Sequence, residues 1–107
     1  MWNEENVKEI VEKEKLVIFG KGTKFEPMCG FTLRAIDIFN RLGKPFEVVN
    51  IFEEESIRPA LVAYTNWPTT PQCFVGGEMI GGSDIVQEMF DSGELQKKVD
   101  AVFAEAS

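Results

Sequence analysis

Apolar positions along the chain follow two alternating periods. Over residues 4–15, Val7, Ile10 and Val11 recur at i, i+3 and i+4, the spacing of a short amphipathic helix. Leu16-Val17-Ile18-Phe19 is an unbroken apolar run stopped by Gly20, which predicts a strand buried on both faces. Residues 21–28 lose all periodicity and are punctuated by Gly22, Thr23 and Pro27, so they read as a loop. Helical spacing returns over residues 31–42, with Ala35, Ile36, Phe39 and Leu42 on one face and Gly43 as the stop. Residues 46–51 form a second strand. After Glu53-Glu54-Glu55, residues 56–64 place Ile57, Ala60, Leu61 and Tyr64 on a helical face. Pro59 is tolerated there only in a first turn, where its missing N–H has no partner to lose. Strands at 71–75 and 78–80 flank Gly76-Gly77, a two-residue hairpin signal. Gly81-Gly82 then leads to Ser83 or Asp84 as the N-cap of a helix with Ile85, Val86, Met89 and Phe90 inward. Asp91-Ser92-Gly93 breaks that helix before a last one at 94–104, with Leu95, Val99, Val102 and Phe103 inward.

The predicted order is α-β-α-β-α-β-β-α-α. A β-α-β opening with a crossover helix, then a hairpin and closing helices, is the requirement of a thioredoxin-like α/β fold. Because the hairpin is antiparallel, the expected architecture is a four-stranded mixed β-sheet flanked by helices. At 107 residues the chain holds one hydrophobic core, so residues 1–107 read as a single domain.

Composition narrows the chemistry. The chain has no histidine and two cysteines, and 11 Lys+Arg against 18 Asp+Glu give a net charge of −7. Without histidine there is no Ser-His-Asp or Cys-His pair and no imidazole acid/base. Two cysteines cannot build a four-cysteine metal site within one chain. The acidic balance argues against nucleic acid, and no apolar run is long enough to span a membrane. The acidic start Met1-Trp2-Asn3-Glu4-Glu5 lacks the marks of a secretory signal. A reducing compartment is therefore expected: the cytoplasm, or an organellar matrix or stroma if a transit peptide has been removed.

Cys29 stands at a loop-to-helix junction after the first strand. A thiol there meets unpaired helix N–H groups and the positive end of the helix dipole, which favour its thiolate; Lys21 adds a cation at the head of the same loop. The alternative is an inert, buried cysteine, and position alone leaves both open. The motif continues Gly30-Phe31-Thr32, with Thr where a two-cysteine redox motif has its second thiol. A lone thiolate needs an external thiol for exchange chemistry. Cys73, inside the apolar strand at 71–75, reads as a buried core thiol, with a disulfide or mixed disulfide involving Cys29 as the alternative.

Four motifs occur in order: Lys21-Gly22-Thr23, Pro27-Met28-Cys29-Gly30-Phe31-Thr32, Trp67-Pro68-Thr69-Thr70-Pro71-Gln72 and Gly81-Gly82-Ser83-Asp84. Together they resemble the monothiol glutaredoxins, whose pattern is KGT, P-x-CGFS, WPT-x-PQ and GG-x-D, over most of the chain. Thr32 replaces the usual Ser, keeping a hydroxyl that can donate to the thiolate and adding a stiff β-branched methyl. The resemblance implies roles for particular residues. Cys29 would be the thiolate and cluster ligand. Lys21 and Arg58 would grip the glycine carboxylate of glutathione, with Lys21 also lowering the Cys29 pKa. Thr70 would pair through its backbone with the glutathione cysteine beside a cis Pro71. Ser83 and Asp84 would hold the γ-glutamyl end, the helix N–H groups taking its carboxylate and the Asp84 side chain its ammonium. Trp67 would be structural, close to the cluster face. Read by themselves, Lys21 and Arg58 are solvated surface charges, Pro71 an ordinary trans turn, and Ser83 and Asp84 a plain N-cap.

The family's function follows as an expectation. A [2Fe-2S] cluster takes four ligands, so one cysteine from each chain of a homodimer plus two glutathione thiolates completes the set. The resemblance implies a carrier, monomeric without cluster and dimeric with it, that hands the cluster to apo iron–sulfur proteins, with BolA-type proteins as further partners. A glutathione-dependent oxidoreductase that removes glutathione from mixed disulfides through Cys29 is the alternative, which makes enzymatic activity secondary.

Overall fold

The short run Leu16–Gly20 (β1) is buried throughout, and everything else is arranged around it. The computed structural model describes residues 1–105. Its order is α1 (Glu4–Lys13), β1, α2 (Gly30–Arg41), β2 (Glu47–Asn50), α3 (Ile57–Thr65), β3 (Gln72–Val75), β4 (Glu78–Gly81), α4 (Ser83–Ser92) and α5 (Glu94–Ala104). The four strands form one sheet in the order β2-β1-β3-β4. β1 pairs parallel with β2 and antiparallel with β3, which pairs antiparallel with β4, so the sheet is mixed as the hairpin requires.

Alternation along β1 and β3 divides the core in two. Leu16, Ile18, Cys73 and Val75 face Ala35, Phe39, Val86, Leu95 and Val99 from α2, α4 and α5. Val17, Phe19 and Phe74 face Val7, Val11, Ile57 and Leu61 from α1 and α3. Both faces of the central strands are therefore covered, the condition under which a continuous apolar run is a strand. Phe19 is packed edge-on by Trp2 and Phe74.

Several boundaries differ from the sequence reading for identifiable reasons. Helix α4 takes Gly82, not Ser83 or Asp84, as its N-cap, and Ser83 is its first helical residue with a buried side chain. It also runs through Asp91 and Ser92, and Gly93, in a left-handed conformation, ends α4 and begins α5. Ile85 is exposed instead of inward, because α4 turns that residue toward a surface groove. Pro59 lies in the first turn of α3, where no intrahelical donor is required of it. Cys73 is fully buried.

Candidate functional site

Four loops and helix starts meet at the end of the sheet where β1 ends and β3 begins. The first is the segment from Lys21 to Met28. It is ordered by its own backbone: the Met28 N–H donates to the Lys21 carbonyl at 2.8 Å and the Thr23 N–H to the Glu26 carbonyl at 3.1 Å. Gly22, with φ +100°, is required there, since a Cβ would drive into the Glu26 carbonyl and the Met28 amide. The Asn50 side chain at the end of β2 fixes this loop from outside. Its Oδ1 accepts from the N–H groups of Gly22 at 3.0 Å and Phe52 at 2.9 Å.

That loop delivers Cys29 to the N-cap of α2 in an extended conformation. No side chain caps this helix, so its first amides remain free for the sulfur. The thiol pKa is lowered from its ordinary value, most by the Thr32 backbone N–H; partial burial opposes this, and the Phe31 N–H, the Thr32 hydroxyl and the Lys21 charge follow as smaller lowering causes. The helix terminus thus outweighs the lysine. Thr32 is buried, and its Oγ1 also accepts from the Lys21 N–H at 3.1 Å, linking the loop to the helix. The branch of Thr32 fills space left by Gly20, where a Cβ would lie 2.6 Å from its methyl carbon. The Lys21 ammonium makes no hydrogen bond or ion pair among the described residues, whereas the Lys24 ammonium is held by the Phe46 carbonyl at 3.2 Å and lies over the Phe46 ring.

Thr70, Pro71, Ser83 and Asp84 line one groove of about 430 Å³, completed by Phe31, Trp67 and Ile85. The Thr70–Pro71 peptide bond is cis. Cys29, Lys21 and Arg58 are not in the groove wall; Cys29 and Arg58 adjoin it, and Lys21 is tied to the Cys29 helix start through its N–H on Thr32. Cys29 is two residues from Phe31 and shares its helix start, and the Arg58 guanidinium donates to the Pro68 carbonyl at 2.7 Å, beside Trp67. A larger hollow of about 540 Å³ lies by Trp2, Glu9, Lys13 and Glu47, and none of the candidate residues borders it.

Three contributors have no role in the sequence reading, although Gln72 belongs to its third motif. Gln72 is buried and its Nε2 donates to the carbonyls of Trp67 at 2.8 Å and Thr69 at 3.1 Å, holding the groove wall in place. A polar residue within an apolar strand was the available signal for it. Asn50, the clamp of the first loop, ends β2, whereas the apolar pattern reads it as an ordinary position within the strand at 46–51. Arg34, on the first turns of α2, pairs with Asp84 at 2.9 Å across fifty positions of sequence, and nothing local announces that contact.

The second thiol is chemically separate. Burial alone pushes the Cys73 thiol up to about 12, so it is protonated at neutral pH. Among the described residues no group of three or more His, Cys, Asp or Glu side chains is placed to hold a metal ion. No helix among them is long and apolar enough to cross a membrane.

The glutaredoxin family model matches residues 16–80. The chain is 48% identical over 96 residues to a chloroplastic monothiol glutaredoxin of Arabidopsis thaliana, covering 90% of this chain but only 56% of the plant protein's length. It is 42% identical over 98 residues to an uncharacterized monothiol glutaredoxin of Synechocystis, covering 92% of each. The crystal structure of a buckwheat glutaredoxin–glutathione complex superposes with a TM-score of 0.83 at 29% identity, covering 94% of this chain and 90% of that one.

Proposed function

The chain belongs to the glutaredoxin family, among the monothiol members, and from that premise we propose that it binds glutathione and carries a [2Fe-2S] cluster to apo-proteins. One observation carries the proposal: a single accessible thiol, already biased to thiolate, stands beside a groove with no second reactive thiol near it. Glutathione would lie along the groove, its γ-glutamyl carboxylate at the amides opening α4, its ammonium at Asp84, and its backbone against Thr70. Lys21 and Arg58 would take the glycine carboxylate at the opposite end. The buckwheat complex with glutathione supports this ligand for a chain of the same fold.

Ligand counting supports the cargo. One chain offers one usable thiolate, so a cluster with four ligands requires a second chain and two further thiolates, which two glutathione molecules supply. A cluster held partly by dissociable ligands is easily released to a recipient. Apo iron–sulfur proteins, and BolA-type proteins as partners, belong to the same reading. So does a reducing compartment, cytoplasmic or organellar, where glutathione is in its thiol form.

The test is anaerobic reconstitution with iron, sulfide and glutathione, followed by absorption spectroscopy and gel filtration. A coloured dimer is expected from the wild type and from Cys73→Ser, and a colourless monomer from Cys29→Ser. A colourless wild-type monomer overturns the carrier reading. The oxidoreductase alternative is then weighed on the same protein: Cys29 would attack the glutathione sulfur of a mixed disulfide, releasing the client thiolate, and a second glutathione would release glutathione disulfide and restore Cys29.

A further inference from the structure

The Asp84 carboxylate is not alone at its end of the groove. Arg34 reaches from α2 and places Nη1 2.9 Å from Asp84 Oδ1. The Asp84 side chain is 83% exposed and that of Arg34 44%, so the pair lies open to solvent, Asp84 in the groove wall and Arg34 reaching it from outside the lining. An exposed pair of this kind adds little to stability. Its consequence is electrostatic: it sets a fixed positive pole next to the negative one, beside the uncapped start of α4.

We infer that Arg34 is a specificity-determining residue, which with Asp84 reads the paired carboxylate and ammonium of a zwitterionic amino-acid head group. The inference rests on the glutathione reading of the groove and adds a residue to it. One guanidinium N–H is spent on Asp84, and the remaining donors stay available in a planar fork suited to a carboxylate. Asp84 keeps its second oxygen for the ammonium. With Asp84 alone, the site would attract the ammonium and repel the carboxylate beside it. With Arg34 present, each pole of the ligand meets its opposite, and the α4 amides reinforce the attraction for the carboxylate.

The experiment uses S-methylglutathione, which cannot exchange disulfides, and its decarboxylated analogue γ-aminobutyryl-S-methylcysteinylglycine. Calorimetric titration of the wild type, Arg34→Ala and Arg34→Lys against both ligands separates the alternatives. Arg34→Ala is expected to weaken S-methylglutathione by about fivefold, the scale of one partly exposed charge-assisted contact. It should leave binding of the decarboxylated analogue unchanged, and Arg34→Lys should recover part of the loss. Equal or tighter binding of S-methylglutathione by Arg34→Ala overturns the inference, because Arg34 would then be a bystander or a competitor for Asp84. An equal loss with both ligands overturns it too, since Arg34 would then only shape the groove. If the wild type binds neither ligand, the glutathione reading itself falls and takes Arg34 with it. A wild type that binds, with an Arg34→Ala that binds as well, removes Arg34 alone.

Discussion

Thr32 does with one side chain what the cysteine of a two-thiol motif cannot. Its hydroxyl is among the groups lowering the Cys29 pKa, and the same oxygen accepts from the Lys21 N–H. Its methyl occupies the space beside Gly20. The two halves of the side chain are therefore separable. Thr32→Val keeps the branch and loses the hydroxyl, leaving the Lys21 N–H without its acceptor. It should cost about 1–3 kcal/mol in urea unfolding and raise the Cys29 pKa, seen as an alkaline shift in the pH profile of iodoacetamide alkylation. Thr32→Ser keeps the hydroxyl and loses one methyl; the alkylation profile should stay in place while stability falls by about 1 kcal/mol. If the two variants shift the profile equally, the hydroxyl has no part in activating the thiol. Because folding lowers the Cys29 pKa, the thiolate's contribution to stability is present above the unfolded value and fades as pH falls through the folded one.

The loop from Lys21 to Met28 is the element on which the site depends, and Asn50 is its anchor. A single carboxamide oxygen accepts two backbone N–H groups, from Gly22 and Phe52, so Asn50→Ala leaves both donors without their acceptor at once. We expect a loss of about 1–3 kcal/mol in urea unfolding, together with weaker S-methylglutathione binding as Lys21 loses its register. Unchanged affinity despite the lost stability would show that the loop is held sufficiently by its internal bonds. The contrast between this loop and the regular elements explains what could be read beforehand. Helices and strands announce themselves because their apolar residues repeat with the period of the backbone, and Leu16–Gly20 or Glu94–Ala104 needed no further information. The motif residues of the groove were legible through resemblance, and Thr70, Pro71, Ser83 and Asp84 do line one cavity. Contacts made by polar side chains over long separations carry no period. Asn50 to Gly22 spans the β-α-β crossover, and Arg34 to Asp84 depends on how α2 and α4 pack. Ile85 was misplaced for the opposite reason: its helical spacing is apolar, but the face it belongs to borders the groove instead of the core.

At the scale of the molecule, the sheet keeps its two thiols in opposite electrostatic conditions. Cys29 sits at the rim, where helix amides favour its thiolate, while Cys73 is enclosed between β3 and the α2, α4 and α5 layer. Limited alkylation of the folded protein at neutral pH should therefore consume one thiol equivalent, and two only after denaturation. The buried thiol also makes folding sensitive to alkali in a way that can be isolated. Its folded pKa is raised from 9.0 to about 12 by burial, so the unfolded chain releases this proton first as pH rises. Its contribution is intact below the unfolded value and is lost as pH climbs from there toward the folded value, at a slope approaching about 1.4 kcal/mol per pH unit. Every other ionisable group is shared with a Cys73→Ala variant, so the difference between the two proteins reports Cys73 alone. Below the unfolded thiol pKa the stability curves should run parallel, the variant lower by about 1–2 kcal/mol for the cavity it leaves. Above it the wild type should fall faster and the gap should close or reverse. Curves that stay parallel through the alkaline range would mean that the core admits the Cys73 thiolate, and that the two thiols are not separated by the sheet in the way the fold implies.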